Sequence, residues 1–204
     1  TNTGTTICNG QSLTLTATGG VEGSGCTYQW YTGGCGTTSV GGSASTITVS
    51  PTSTTTYYVR RVGTSPCNGT TTTCASATVT VNSPPTAPAG ITNTGTTICN
   101  GQSLTLTATG GVEGSGCTYQ WYTGGCGTTQ VTGSASTLSV SPTSTTTYYV
   151  RRVGTSPCNG TVTTCYSGVV TVNAYPTAPT GVTGGTTICN GYGTTVTLTA
   201  SGGV

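Results

Sequence analysis

Sulfur is the reactive element of this sequence. Cysteines stand at Cys8, Cys26, Cys35, Cys67 and Cys74, again at Cys99, Cys117, Cys126, Cys158 and Cys165, and once more at Cys189. Within a set the gaps are 18, 9, 32 and 7 residues, so there is no Cys-x-x-Cys pair, and the chain has no His. Structural zinc sites draw on closely spaced Cys and on His. Without either, the thiols read as disulfide partners, and disulfides place the chain in an oxidising, extracellular setting.

Other chemistry is scarce. Lys, His and Asp are absent, and the charged residues are Arg60, Arg61, Arg151, Arg152, Glu22 and Glu113. Enzymatic work needs a positioned acid, base, nucleophile or metal ligand. With one Glu per copy in a glycine-rich loop, no triad, carboxylate pair or phosphate cradle assembles. The expectation is no catalysis and no cofactor. Missing Asp removes the usual calcium cage between tandem domains, and missing Lys removes isopeptide cross-links. A net charge of +2 leaves no footprint for nucleic acid or an anionic membrane. No run is long enough to span a bilayer.

The polar residues that remain suit surface contact. Arg60-Arg61 and Arg151-Arg152 lie on strands, where one of each pair points to the core side or its edge. An Arg stacked on Tyr31 or Tyr58 (Tyr122 or Tyr149 in the second set) is a candidate contact for a glycan, a surface ligand or a neighbouring chain. The alternative is an Arg lying over the tyrosines and bonding sheet-edge carbonyls. Outward ladders such as Thr14, Thr16 and Thr18 are ordinary strand formers.

The elements that hold these residues repeat. Residues 1–82 recur as 92–173 with an offset of 91, and only eight positions differ. A third copy opens at 183 and runs to 204, so the expected organisation is two repeats, 1–82 and 92–173, with an incomplete one at 183–204. Proline-rich segments at 83–91 and 174–182 lie between them. Such periodicity reads as a window on a longer tandem array. Threonine contributes 56 residues and glycine 34, with no Phe or Met. Short alternating runs broken by Gly and Pro about every ten residues indicate a β-sandwich. In Cys26-Thr27-Tyr28-Gln29-Trp30-Tyr31, Tyr28 and Trp30 share one face while Gln29 and Tyr31 share the other. Trp30 and Trp121, the sole tryptophans, are the expected core anchors, with Tyr57 and Tyr148 beside them. Repeated prolines stiffen the connecting segments, which are expected to hold successive domains apart as a rod.

The Trp30 strand and the Tyr57-x-Val59 strand after Pro-Thr-Ser-Thr resemble the core strands of an immunoglobulin-like domain. The segments TTICNGQSLTLTATGG, YQWYTGGCG, TITVSPTSTTTYYVRR and PTAP resemble, more narrowly, the Ig-like repeats of large secreted surface proteins of Bacteroidota, among them adhesins and gliding-motility filaments. The resemblance implies an all-β chain of tandem immunoglobulin-like sandwiches of about 91 residues, stapled by disulfides. It also implies a structural role in a long fibre or adhesin stalk, with self-association through neighbouring repeats or chains. A glycan-binding array is the alternative. Val59 and Leu15 stand where antibody domains carry their central bridge, so the sulfurs belong at strand ends.

Under that topology Cys8 and Cys35 fall at the lower end, and Cys26, Cys67 and Cys74 at the upper. The ends lie about 20–30 Å apart, beyond the Cα separation of about 7 Å that a disulfide spans. The expected pairs are Cys8–Cys35 and Cys67–Cys74, repeated as Cys99–Cys126 and Cys158–Cys165. Cys26, Cys117 and Cys189 are left unpaired or bonded between repeats or chains. A rival scheme links neighbouring repeats, for example Cys8 or Cys35 with Cys117.

Overall fold

The computed structural model describes residues 5–23, 25–185 and 195–203. Among them every regular element is a strand. The first unit runs β1 (Thr6–Cys8), β2 (Leu13–Thr16), β3 (Cys26–Thr32), β4 (Thr38–Gly41), β5 (Thr46–Val49), β6 (Thr55–Gly63) and β7 (Ala75–Asn82). One sheet has the order β1-β7-β6-β3-β4, and β2 pairs with β5 in the other. Adjacent strands are antiparallel except β1, which joins β7 in parallel.

The second unit repeats the plan with β8 (Gly90–Thr92), β9 (Thr97–Cys99), β10 (Leu104–Thr109), β11 (Cys117–Thr123), β12 (Thr129–Val131), β13 (Thr137–Val140), β14 (Thr146–Gly154) and β15 (Tyr166–Asn173). Its smaller sheet has three strands, β13-β10-β8. Beyond it, β16 (Gly181–Thr183) pairs with β17 (Thr199–Ser201).

Alternation builds the core. Trp30 stands opposite Val59 and Trp121 opposite Val150. Each indole packs with side chains of both sheets: Leu15, Val49, Val59 and Val79 around Trp30, and Leu106, Val140, Val150 and Val170 around Trp121. Burial of that apolar surface is the main favourable term in folding. The indole N–H groups bond the carbonyls of Ala44 and Ala135 at 3.0 and 3.1 Å, which settles the one polar group each ring carries. Tyr57 and Tyr148 are buried in the same clusters, and burial pushes both phenols up. The described residues are all-β and Ig-like, with two successive sandwiches followed by the β16–β17 ribbon.

Three local features stand out. The glycine-rich stretch after Cys35 contains β4, which joins Trp30 and Tyr31 through a register shift. Such an irregularity admits residues that alternation does not flag. Tyr31 and Tyr122, expected to face outward, are buried. The segment between Cys67 and Cys74 returns along β6, with Thr71 bridged to Val62.

Candidate functional site

The disulfides differ from every expected pair. Cys8 bonds Cys158 across the two units, with 4.9 Å between Cα atoms. Cys35 bonds Cys74, and Cys126 bonds Cys165, each with Cα atoms 5.9 Å apart. Cys8–Cys35, Cys67–Cys74, Cys99–Cys126 and Cys158–Cys165 therefore do not form. The reason is where β7 enters its sheet. Ala75 stands opposite Val59 in the middle of β6, well short of Gly63 at its end. Cys74 consequently lies at mid-height rather than at the upper margin, and the loop after β3 turns back to meet it. Gly36 of that loop lies against the Arg60 side chain, its absent Cβ 3.5 Å from Nη1. The neighbour-linking scheme has the right kind of bond, since Cys8 does reach the next unit, but its partner is Cys158 and not Cys117. Cys26 and Cys117 are half-buried thiols packed against the cores, and burial, then Glu113, pushes the Cys117 thiol up. Cys189 lies outside the described residues.

The Cys8–Cys158 bond closes a joint whose other half is the proline-rich segment. That segment does not hold the units apart as an unattached rod; it is bonded onto the second one as a strap. Thr86 N–H donates to the Val112 carbonyl (2.9 Å), Val112 N–H to the Thr86 hydroxyl (2.7 Å) and Ala89 N–H to the Thr109 carbonyl (2.8 Å). Ser115 N–H donates to the Ser83 carbonyl at 3.0 Å. Pro85 and Pro88 are buried. The strap continues into β8, where Ile91 faces Ala108 and enters the core, 7% exposed.

Arg152 locks the strap. Its guanidinium donates to the Thr86 carbonyl (2.8 Å), the Gly110 carbonyl (2.8 Å) and the Tyr119 hydroxyl (3.1 Å), and the residue is 3% exposed. Tyr119 in turn donates to Glu113 at 2.6 Å. Burial first, then that bond to Glu113, pushes the Tyr119 phenol up. A buried cation is tolerated only when its donors are satisfied, and here carbonyls from the strap and from the Gly110 loop meet them. Arg61 makes the matching bonds to Gly19 (2.7 Å) and Tyr28 (3.2 Å), and Tyr28 donates to Glu22 at 2.8 Å.

The other arginines use the opposite face. Arg60 lies 5.0 Å over Tyr31 and Arg151 5.0 Å over Tyr122, while Arg61 and Arg152 each lie 5.2 Å from Tyr28 and Tyr119. Arg60 also donates to Gln29 Oε1 at 3.2 and 3.0 Å, and the Tyr31 hydroxyl donates to the same oxygen. The Arg60–Tyr31 and Arg151–Tyr122 stacks foreseen as surface contacts thus spend their polar groups on neighbours. Tyr58 and Tyr149 are half-buried. Sequence reasoning missed Ser83, Thr86, Gly110, Val112 and Ser115 as joint residues. Their signal was the fixed pairing of a Pro-Thr-Ala-Pro segment with a Gly-Gly-Val loop later in the same copy.

Two disulfide-bearing sandwiches in tandem, joined end to end, define an array of immunoglobulin-like domains of the kind found in cell-surface and extracellular proteins. The chain belongs to the family described as "Ig-like domain CHU_C associated", a Bacteroidota-associated type, whose model matches residues 1–83 and 85–173. No curated protein matches it. Among solved structures it is similar to a marsupial T cell receptor (17% identity, TM-score 0.56, 89% of this chain and 74% of that one). It is likewise similar to the titin I-band fragment I67–I69 (15%, TM-score 0.52, 84% and 63%). The four N-terminal Ig domains of Dscam1 isoform 8.4 also match (16%, TM-score 0.41, 83% and 43%). The chain thus spans less than two thirds of the titin and Dscam1 chains. At these identities the likeness is one of fold.

Proposed function

We propose that the chain is a rigid structural spacer of a long extracellular fibre or cell-surface adhesin stalk and performs no catalysis. The observation that carries this reading is the joint: one disulfide and one hydrogen-bonded strap fix the first unit to the second. A tandem array usually bends at its linkers, and inter-domain motion is the default unless the interface is extensive. Here the linker is part of the following domain, so bending requires breaking either a covalent bond or the Arg152 cluster. The disulfides suit an oxidising exterior, and with no Lys, trypsin finds only the arginine pairs to cut. The glycan-binding alternative loses ground because Tyr31, Tyr122, Arg60 and Arg151 are engaged with one another.

Spin labels on one exposed position of each unit test the reading. A narrow distance distribution in the oxidised protein, broadening in Cys8→Ser/Cys158→Ser, supports a rigid spacer. A distribution as broad in the oxidised protein as in the double variant ends it.

A further inference from the structure

The two units differ on their flanks as well as at the joint. In the first, a hollow of about 500 Å³ lies against β3 and β4, lined by Thr27, Gln29, Tyr31, Ser39, Gly41 and Ser43. These positions stand apart from the joint. Among the described residues, the strap's hydrogen bonds reach none of their second-unit counterparts, Thr118, Gln120, Tyr122, Gln130, Thr132 and Ser134. Two of the eight positions that separate the units fall here: Ser39 and Gly41 of the first are Gln130 and Thr132 of the second. The backbone follows that difference. Gly41 has φ of 81°, in the left-handed region that glycine enters without steric penalty, and β4 meets β3 with a register shift between Trp30 and Tyr31. Thr132 stays out of that region, as a β-branched residue does, and β12 sets Gln130 and Val131 against Tyr122 and Trp121 with no shift. Bulges re-aim side chains and gather at sheet edges and beside active sites.

The chemistry of the hollow is that of hydroxyls and one amide. Arg60 donates through Nε and Nη2 to Gln29 Oε1 at 3.2 and 3.0 Å, and the Tyr31 hydroxyl donates to the same oxygen. A guanidinium has no acceptor, so Oε1 must face Arg60 and the amide is held in one orientation. Its Nε2 then carries two N–H groups that no described residue accepts. The Thr27 and Ser43 hydroxyls likewise have no partner among the described residues, and Ser39 Oγ only accepts, from the Gly41 N–H at 3.4 Å. No charged side chain lines the hollow.

We propose that this hollow of the first unit binds a neutral sugar residue of a glycan. Small-ligand sites are concave and take their specificity from a few placed polar groups. The Gln29 amide donates to a sugar oxygen, and the Thr27, Ser39 and Ser43 hydroxyls donate or accept as the sugar requires. A carboxylate or phosphate entering here would lose water and gain no charged partner from the lining. Tyr31 and Arg60 stay engaged with each other, Arg60 lying 5.0 Å over the ring, so recognition falls to the amide and hydroxyls beside them. Gln130 and Thr132 place larger side chains where the first unit has a small hydroxyl and a bare backbone, so the two units are not equivalent as binders. The site adds to the spacer reading and does not rest on it.

Titration of the whole oxidised, isotope-labelled chain with maltose, cellobiose, lactose and diacetylchitobiose, followed by NMR, tests the inference. The expected result is saturable, millimolar binding of at least one of them, at one sugar per chain. Its shifts should centre on the Gln29 side-chain amide and the Gly41–Ser43 backbone and leave Gln120 unmoved. Ser39→Gln/Gly41→Thr should weaken binding by about tenfold or more, as loss of one contact of about 1.4 kcal/mol does. The second unit already folds with those residues, and the variant's own melting checks that the first does too. The reciprocal Gln130→Ser/Thr132→Gly should add a second sugar per chain. Absence of saturable shifts with all four sugars overturns the proposal. So do equal shifts at Gln29 and Gln120, binding unweakened in the first variant, or a reciprocal variant that still takes one sugar. Glucuronic acid bound more tightly than glucose would overturn the assignment to a neutral sugar. Spin-label distances report on the joint alone, so the spacer reading stands or falls separately.

Discussion

The two units share all but eight of 82 aligned positions, yet the same residues live in different surroundings. Arg61 is half-buried, and its counterpart Arg152 is 3% exposed. Cys67 is exposed, and Cys158 is 1% exposed. Ala17 is half-buried, and Ala108 belongs to the core. The differing residues do not include these, so the cause is the neighbour: a strap and a disulfide cover the second unit's upper end. Burial at this position belongs to the array and not to the repeat. An arginine that reads as a surface charge in one copy becomes the keystone of a joint in the next.

That comparison predicts sameness in one place and difference in another. The Cys35–Cys74 and Cys126–Cys165 bridges each span 39 residues within matching units, so loop-closure arithmetic assigns each about 4 kcal/mol. Replacing either pair with Ser should lower the stability of its own unit by that amount, read as a shift of one calorimetric transition. Unequal losses would break the claim that the units are equivalent below the strap.

Arg152→Ala and Arg61→Ala should diverge. The first strips donors from two carbonyls and a phenol in a buried site, a loss of about 2–4 kcal/mol, and it should release the strap to protease. The second removes bonds at a more exposed place and should cost less. Equal shifts in the two transitions would mean that the strap contributes nothing to Arg152.

The cores were legible because their signals are local. Alternation across Cys26–Trp30 and around Val59 assigns faces correctly, and a lone indole per copy has few places to go. The bridges were not legible. Pairing depends on the level at which β7 enters its sheet, which the register of Val59 with Ala75 sets and no residue type announces. β4 was hidden by Gly41 and Gly42, both in the left-handed region. The joint was hidden for a further reason: Pro-Pro-Thr-Ala-Pro reads as a stiff tether, and nothing within it declares the groove that its carbonyls and prolines fit. Long-range fit between a strap and a loop 26 residues later is a property of the folded unit.

A matched pair of glycines isolates the strap from backbone strain. Gly23 and Gly114 have φ of 64° and 65°, so alanine suffers the same left-handed penalty at both. Only Gly114 faces the Ser83 and Pro84 backbone, with contacts of 2.4 and 2.7 Å for an added Cβ. Gly114→Ala should therefore cost about 1–3 kcal/mol more than Gly23→Ala, the usual size of overpacking. Identical losses would remove the strap from the stability of the second unit.

Alkaline titration supplies the smallest contrast. Burial raises the phenols of Tyr57 in the first unit and of Tyr119 and Tyr148 in the second above the ordinary value of 10.0. A raised folded value means that the unfolded chain loses the proton first. The associated stability is intact below pH 10 and is lost as pH climbs through the folded values. Each such phenol steepens the decline by at most about 1.4 kcal/mol per pH unit. The first transition should stay level from neutral pH to about 9 and fall beyond about 10. The second should begin to fall from about 9, where the unfolded Cys117 thiol titrates, and in a Cys117→Ser background should still fall more steeply beyond about 10 because Tyr119 titrates with Tyr148. A second transition that falls no faster than the first would mean that Tyr119 ionises as readily in the folded unit as in the unfolded chain. The Arg152–Tyr119–Glu113 chain beneath the strap would then be open to solvent.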